Sequence, residues 1–319
     1  MSKKIILIFL FLISCNKIPD SIGKKNDLIV VTSKNDKDYI YPYLYKIINE
    51  KINTPIEENV YNVKWIDAED FFDNKLYKNI FIISLKQPAD STADILVEKI
   101  SNSNDNKIFS IENVFANDQL LLVINAFDSI ELNNLIKSNS EWISNIINNK
   151  ILDRFFSDSN SQNFNNEIIN IIKNKFNLEL SIDENYKVLK NYEDFLWIGR
   201  GYPYRWIMIN YIDKITNTNN DIFDSFVNVI EKNTGNINIS EYFNAIEYKT
   251  NYIKLTGLYE HLESDTGGPF IGYCYDDSIL KDKYYCISGY VNNPGKSKYD
   301  LLKQLESIII NNRKVNDGI

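Results

Sequence analysis

From Gly267 to Ile310 the chain reads as two strands joined by a turn and closed by an amphipathic helix. This pattern constrains the fold more than any other stretch. Gly267 and Gly268 tolerate positive φ, while Pro269 fixes its own φ and lacks an N–H. The triplet therefore predicts a sharp structural turn leading into a strand. Phe270, Ile271, Tyr273, Cys274 and Tyr275 form the first apolar run. Asp276, Asp277 and Ser278 begin the turn, and Tyr284 to Val291 return as the second strand. Asn292-Asn293-Pro294-Gly295 is a further turn. Ser297 is the expected helix cap, with Asp300 in the first turn, where the helix dipole favours negative charge. Leu301, Leu302, Leu305, Ile308 and Ile309 fall on one helical face, which leaves Lys303, Glu306 and Asn312 largely for the other. A hairpin packed on a helix is a core unit of an α+β domain.

The N-terminus predicts export rather than fold. Lys3 and Lys4 precede an unbroken apolar run, Ile5 to Ile13, too short to span a bilayer as a finished helix. Leu12-Ile13-Ser14-Cys15 has the form of a lipobox, so residues 1–14 are the expected lipoprotein signal peptide and Cys15 the lipidated N-terminus. Asn16 after that cysteine fits sorting to the outer membrane. Residues 15–26 are polar and predict a tether.

The remaining 293 of the chain's 319 residues predict two mixed α/β lobes, each a sheet packed with amphipathic helices. The first, residues 27–156, has strands at Leu28–Val31, Tyr61–Trp65, Ile80–Leu85 and Leu120–Ala126, with a helix from Tyr43 and Pro42 in its first turn. Gln87 to Asn106 is polar and reads as mostly loop. Asp128 and Glu131 predict a capping box, with Phe127 and Leu132 as its hydrophobic staple, for the helix burying Leu132, Leu135, Ile136, Ile143 and Ile147. Residues 157–176 read as a linker and connecting helix, and 177–319 as the C-terminal α+β lobe.

Candidate chemistry is sparse. The net charge is −8 and no basic stripe is interleaved with aromatics, so nucleic acid is not an expected partner. The single histidine, His261, lies in a probable-strand pattern without metal-spaced partners. No catalytic residue, metal ligand or cofactor motif stands out. Cys274 and Cys286 face each other across the hairpin, and two readings stay open: a disulfide, which an oxidising compartment allows, and two buried thiols. Arg200-Gly201-Tyr202-Pro203-Tyr204-Arg205 joins two apolar strands. It is either a solvated hairpin loop or a binding loop in which Arg200 and Arg205 grip an anion beside Tyr202 and Tyr204. Asp and Glu side chains could still converge in three dimensions, so a periplasmic hydrolase using acidic residues is the competing expectation. Aromatics make up 13% of the chain, a composition suited to contact surfaces.

Three groups of residues carry a family resemblance. They are Gly267 to Phe270 with the run Ser288 to Lys298 and Gln304-Leu305-Glu306; Thr256-Gly257-Leu258-Tyr259; and Phe195-Leu196-Trp197 with Trp206-Ile207-Met208-Ile209. Together they resemble the C-terminal signature of Domain of Unknown Function 4837, a family of bacterial lipoproteins without an assigned activity. The likeness is specific mainly after residue 190 and departs at Ser288 and Tyr299. It implies an α+β fold and a lipid-anchored envelope location. The expectation is a non-catalytic binding or accessory lipoprotein, held to the membrane through Cys15 and serving an unidentified envelope protein or ligand.

Overall fold

A computed structural model describes residues 18–87, 91–101, 106–160, 163–214, 220–264, 266–277 and 279–314. The expected signal peptide and the expected lipidation site, Cys15, lie outside these residues. The chain is α+β and divides by its internal contacts into two units. The first comprises residues up to Tyr43 together with Val63–Ser138, and the second comprises Leu44–Asn62 and Asn139 onward. The expected boundary at 157–176 is therefore not where contacts divide. The helix Ser129–Asn160 runs into the first residues, 157–160, of the stretch expected as linker. Its residues beyond Ser138 pack within the second unit, where Lys303 Nζ donates to Asn148 Oδ1 at 2.7 Å.

The first unit is built on a five-stranded sheet. Asp27–Thr32, Asn79–Leu85 and Leu120–Ala126 run parallel at its centre, with Ile29 opposite Ile80 and Phe81 opposite Leu122. Asn62–Asp67 flanks them on one edge, and Ile108–Glu112 lies antiparallel on the other. Every residue of Asn79–Leu85 is buried, as a central parallel strand requires. Part of the stretch expected as loop is the helix Thr92–Ser101. Ala93, Leu96, Val97 and Ile100 recur on one buried face there, a pattern masked by polar neighbours. The helix Lys37–Ile48 starts earlier than Pro42 suggested, because the Asp36 carbonyl accepts from Tyr39 N and Ile40 N. Pro42 therefore lies inside it. Glu131 N donates to Asp128 Oδ1 at 2.8 Å, and Glu131 Oε2 accepts from Phe127 N at 2.7 Å, while the Phe127 ring stays exposed. Residues 18–26 are not a free tether. Ile22 N donates to Leu76 O, Lys78 N to Ile22 O, and Asn117 N to Pro19 O.

The second unit is built on an eight-stranded sheet. The strand path from one edge is Ile237–Ile239, Ile253–His261, Thr266–Asp276, Lys283–Asn292, Tyr204–Asp213, Phe195–Arg200 and Lys187–Tyr192, with Ala245–Tyr248 also paired to Ile253–His261. Both faces are covered. Leu196, Ile198, Ile207, Ile209, Ile271 and Ile287 pack with the helices Asn166–Phe176 and Tyr299–Ile310. Their alternating neighbours Phe195, Trp197, Trp206, Met208, Phe270 and Tyr290 pack with the helix Asn220–Thr234. Double coverage explains why these strands read as continuous apolar runs. Cys274 lies opposite Cys286 with Cα atoms 4.1 Å apart, and the two are joined by a disulfide on the second of these faces.

The terminal helix departs from its predicted amphipathicity. Glu306 is 1% and Lys303 8% exposed, although the helical spacing assigns both to the outer face. Glu306 accepts from Tyr273 Oη at 2.6 Å, from Lys303 Nζ at 2.7 Å and from Lys254 Nζ at 3.1 Å. Burial by itself would raise the Glu306 pKa, but the two ammonium groups and these hydrogen bonds outweigh it and hold the carboxyl down at about 2. The cap is also remote. Glu58, rather than Ser297, accepts from Lys298 N at 2.9 Å and Tyr299 N at 3.1 Å, and Ser297 Oγ donates to the same carboxylate.

Because the folded pKa of Glu306 lies below its ordinary value of 4.5, this group's stabilisation is fully present above that value. It is lost as pH falls through about 2. Glu306→Gln should flatten the acid limb of a stability–pH curve measured by urea unfolding. Glu306→Ala, which leaves two lysines without their counter-ion, should cost roughly 3–5 kcal/mol at pH 7.

Candidate functional site

One end of the eight-stranded sheet gathers the polar and aromatic residues that the sequence scatters. Register places Ile237 opposite His261, His261 opposite Thr266, and Tyr204 opposite Asn292. Asn292 Nδ2 donates to Thr266 Oγ1 at 2.8 Å, which links the middle of this row. The His261 ring lies 5.8 Å from the Trp206 ring, and Trp206 meets Tyr259 edge-on at 5.6 Å.

The Gly267-Gly268-Pro269 triplet belongs to this end, but not as a turn. All three residues lie inside the strand Thr266–Asp276, opposite Glu260, Tyr259 and Leu258, and neither glycine has positive φ. What requires glycine is close backbone approach. A Cβ on Gly268 would stand 1.9 Å from Val291 O, and one on Gly267 would stand 2.4 Å from Tyr259 O. Both obstacles are main-chain carbonyls in paired strands, so neither moves aside cheaply.

Beside this row the chain between Ile237–Ile239 and Ala245–Tyr248 bulges outward. Ser240 N donates to Leu258 O, Tyr242 N to Ser240 Oγ, and Asn244 Nδ2 to Glu241 O, which together shape the bulge. Phe243 sits at φ 66°, a left-handed conformation that opposes a bulky side chain. Its ring nevertheless points outward: Phe243 is 67% and Tyr242 73% exposed. Backbone strain of ~1–3 kcal/mol, unrewarded by burial, marks a position held for something other than packing. Tyr242, Phe243, Leu258, Tyr259, Glu260 and His261 contribute to the wall of a groove of about 600 Å³. The sequence held a signal for it, two aromatics in a polar loop, but nothing in the spacing joined that loop to His261.

The 200–205 loop is placed at the same end of the sheet, since Arg200 pairs with Arg205 and Tyr204 with Asn292. Its arginines are taken up within the protein rather than left free to grip an anion, as the binding-loop reading requires. Arg200 Nη1 donates to Asp183 Oδ2 at 2.8 Å, and Arg205, 6% exposed, donates to Gln304. Both guanidiniums are held inward. Tyr202 and Tyr204 remain exposed, their rings meeting edge-on at 6.1 Å, with Lys296 Nζ 5.3 Å from the Tyr202 ring centre. Among the described residues, no group of three or more His, Cys, Asp or Glu is placed to hold a metal ion. None of the described helices is long and apolar enough to cross a membrane.

Fold and site thus define a two-unit α+β protein with an aromatic end to its antiparallel sheet. Residues 165–311, which include that sheet from edge to edge, match the family Domain of unknown function (DUF4837). Residues 21–159 match a second family, Domain of unknown function (DUF8532). No curated protein matches the chain. Similar solved structures include the Ran-binding protein Mog1p of Saccharomyces cerevisiae, at 8% identity and TM-score 0.33, covering 43% of this chain and 90% of that one. They also include the cyanobacterial PsbP (CyanoP) of Synechocystis sp. PCC 6803, at 8% identity and TM-score 0.31, covering 43% of this chain and 86% of that one.

Gly268→Ala should destabilise the protein by roughly 3 kcal/mol in chemical denaturation, because the new Cβ meets a carbonyl rather than a movable side chain. Phe243→Gly should do the reverse. Relieving the left-handed strain of an exposed residue should raise stability by about 0.5–1 kcal/mol, read as a higher Tm.

Proposed function

We propose that this protein is a lipid-anchored protein of the bacterial cell envelope that holds a partner at the aromatic end of its antiparallel sheet without turning it over. The anchor is Cys15, and Asn16 after it favours the outer membrane. Support for the location comes from the sequence: paired lysines, a short apolar run and a lipobox. Two acyl chains or more, each buried CH₂ contributing ~0.8 kcal/mol, make such attachment lasting.

The observation that carries the binding reading is Phe243, strained in its backbone and exposed in its ring beside an equally exposed Tyr242. Rigid aromatic side chains supply contact area at low entropic cost and are enriched at interfaces. The competing hydrolase needs an acid with a raised pKa or a carboxylate with room for substrate. Glu306, the most deeply buried glutamate among the described residues, has neither: it is held ionised and bonded to two ammonium groups and a phenol. Burial does raise the carboxyl of Glu50, which makes Glu50→Gln the first substitution by which the hydrolase reading is tested.

Cys15→Ala should abolish incorporation of an alkyne-tagged fatty acid in growing cells and release the protein from the membrane fraction. A photo-crosslinking amino acid at position 242 or 243 should give discrete adducts in intact cells, whereas the same probe at exposed Asn134 should not. Hydrolysis of an envelope polymer by the purified chain, abolished by one Asp or Glu substitution that leaves the fold intact, would overturn the non-catalytic reading.

A further inference from the structure

We infer that the end of the first unit bearing Ile18, Phe72 and Phe115 is a membrane-contact surface, resting on the bilayer that holds Cys15; this builds on the lipid-anchor reading above and names the face that the anchor presents. Chain length imposes the contact. Cys15 and Ile18 are three Cα steps apart, so by whatever path residues 16 and 17 run, Ile18 lies within about 11 Å of the lipidated residue. The headgroup layer on each side of a bilayer is itself roughly 5–8 Å thick. From Ile18 onward the chain has no slack. Asn117 Nδ2 donates to Ile18 O at 2.8 Å, and Asn117 N to Pro19 O at 2.7 Å. Ser21 N donates to Asn117 O, Lys78 Nζ to Ser21 O at 2.9 Å, and Ile22 N to Leu76 O at 2.8 Å. A free leader would let the first unit turn in any direction, whereas this one brings the surface around Asn117 to the headgroups.

The chemistry of that surface suits a bilayer. Lys75 Nζ lies 5.5 Å from the Phe72 ring centre and 5.8 Å from that of Phe115, so two aromatic rings gather about one ammonium group. Gln119 ties the Asn117 loop to the same place: its Oε1 accepts from Phe115 N at 3.0 Å, and its Nε2 donates to Lys75 O at 2.6 Å. Ile18, Ile22 and Phe72 are all exposed. Such side chains enter the boundary between headgroups and acyl chains, while a lysine lays its stem along them and keeps its ammonium among the phosphates. Charge narrows the headgroup. Asp20, Asp73 and Asp118 are exposed on these segments along with Lys24. A strongly anionic surface would repel the three carboxylates, whereas a zwitterionic headgroup offers its ammonium to them and its phosphate to the lysines. The patch needs little affinity of its own, because a short tether supplies an effective concentration on the order of mM. A protein partner would need this face clear of the bilayer, which three Cα steps do not allow.

The test uses the full mature chain, acylated in growing cells and reconstituted into phosphatidylethanolamine vesicles with a minor fraction of phosphatidylglycerol. Cys274 and Cys286 are joined and Cys15 carries lipid, so Phe72→Cys introduces a single reactive thiol for an environment-sensitive fluorophore. Its emission should shift to the blue and fall about threefold with a headgroup spin-labelled lipid. The same probe at Ile130→Cys should stay in water. Ile130 is exposed on the helix that follows the far end of the strand Leu120–Ala126, roughly 20 Å along the sheet from the Asn117 loop. Acylated, membrane-retained protein in which the probes at 72 and 130 report the same environment would overturn the inference and leave the anchor standing. A photo-crosslinking residue at 72 that yields discrete protein adducts in place of lipid adducts in intact cells would overturn it too. Failure of Cys15 to take up a fatty acid would remove the anchor and the membrane face together.

Discussion

The carboxylate of Glu306 joins three elements that chain order keeps apart. It accepts from Lys254 on the strand Ile253–His261, from Tyr273 on the strand Thr266–Asp276, and from Lys303 one helical turn before it. A glutamate this buried would take up a proton or destabilise the fold if left alone. Here each bond is supplied by a group that is itself largely withdrawn from water. The terminal helix is therefore fixed against the sheet in one rotation and one register, because a shift of one residue would strand two ammonium groups and a carboxylate. Glu58 fixes the same helix at its start, supplying the acceptor that its own N-terminus lacks.

That clamp bears on the aromatic end of the sheet through the strands it holds. Lys254 and Tyr273 are opposite each other in register, and seven residues along the same strand from Lys254 lies His261, opposite Thr266. The glycines at 267 and 268 let the strands close to backbone contact there. The result is a rigid floor beside a strained, outward-facing loop. Sites placed on rigid elements hold their geometry better than sites made of loops alone, and strain at Phe243 persists only because paired strands on either side of the bulge fix the backbone.

Arg200 and Arg205 show what a local reading leaves open at such a place. Two arginines and two tyrosines in six residues resemble an anion clamp. Asp183 and Gln304, far away in sequence, occupy those guanidiniums and turn them inward, so that only the tyrosines face out. No spacing rule within the loop could have shown this.

What the sequence determined by itself are the features set by near neighbours. Continuous apolar runs marked strands at Ile80–Leu85 and on either side of the 200–205 loop, and Asp128 with Glu131 marked a helix start. The 3.6-residue spacing of Leu302, Leu305 and Ile309 marked the terminal helix. Periodicity records which side chains are apolar, and apolar side chains go inside wherever the chain places them. The tertiary structure alone decided the polar interior and the groove. Lys303 and Glu306 look like solvent residues because, in sequence, a charge reports its cost of burial and not the partners that would remove it. The residues that do remove it, Lys254 and Tyr273, lie 52 and 33 positions from Glu306. His261, Tyr242 and Phe243 meet for the same reason: strand pairing, not spacing, brings them to one end of the sheet.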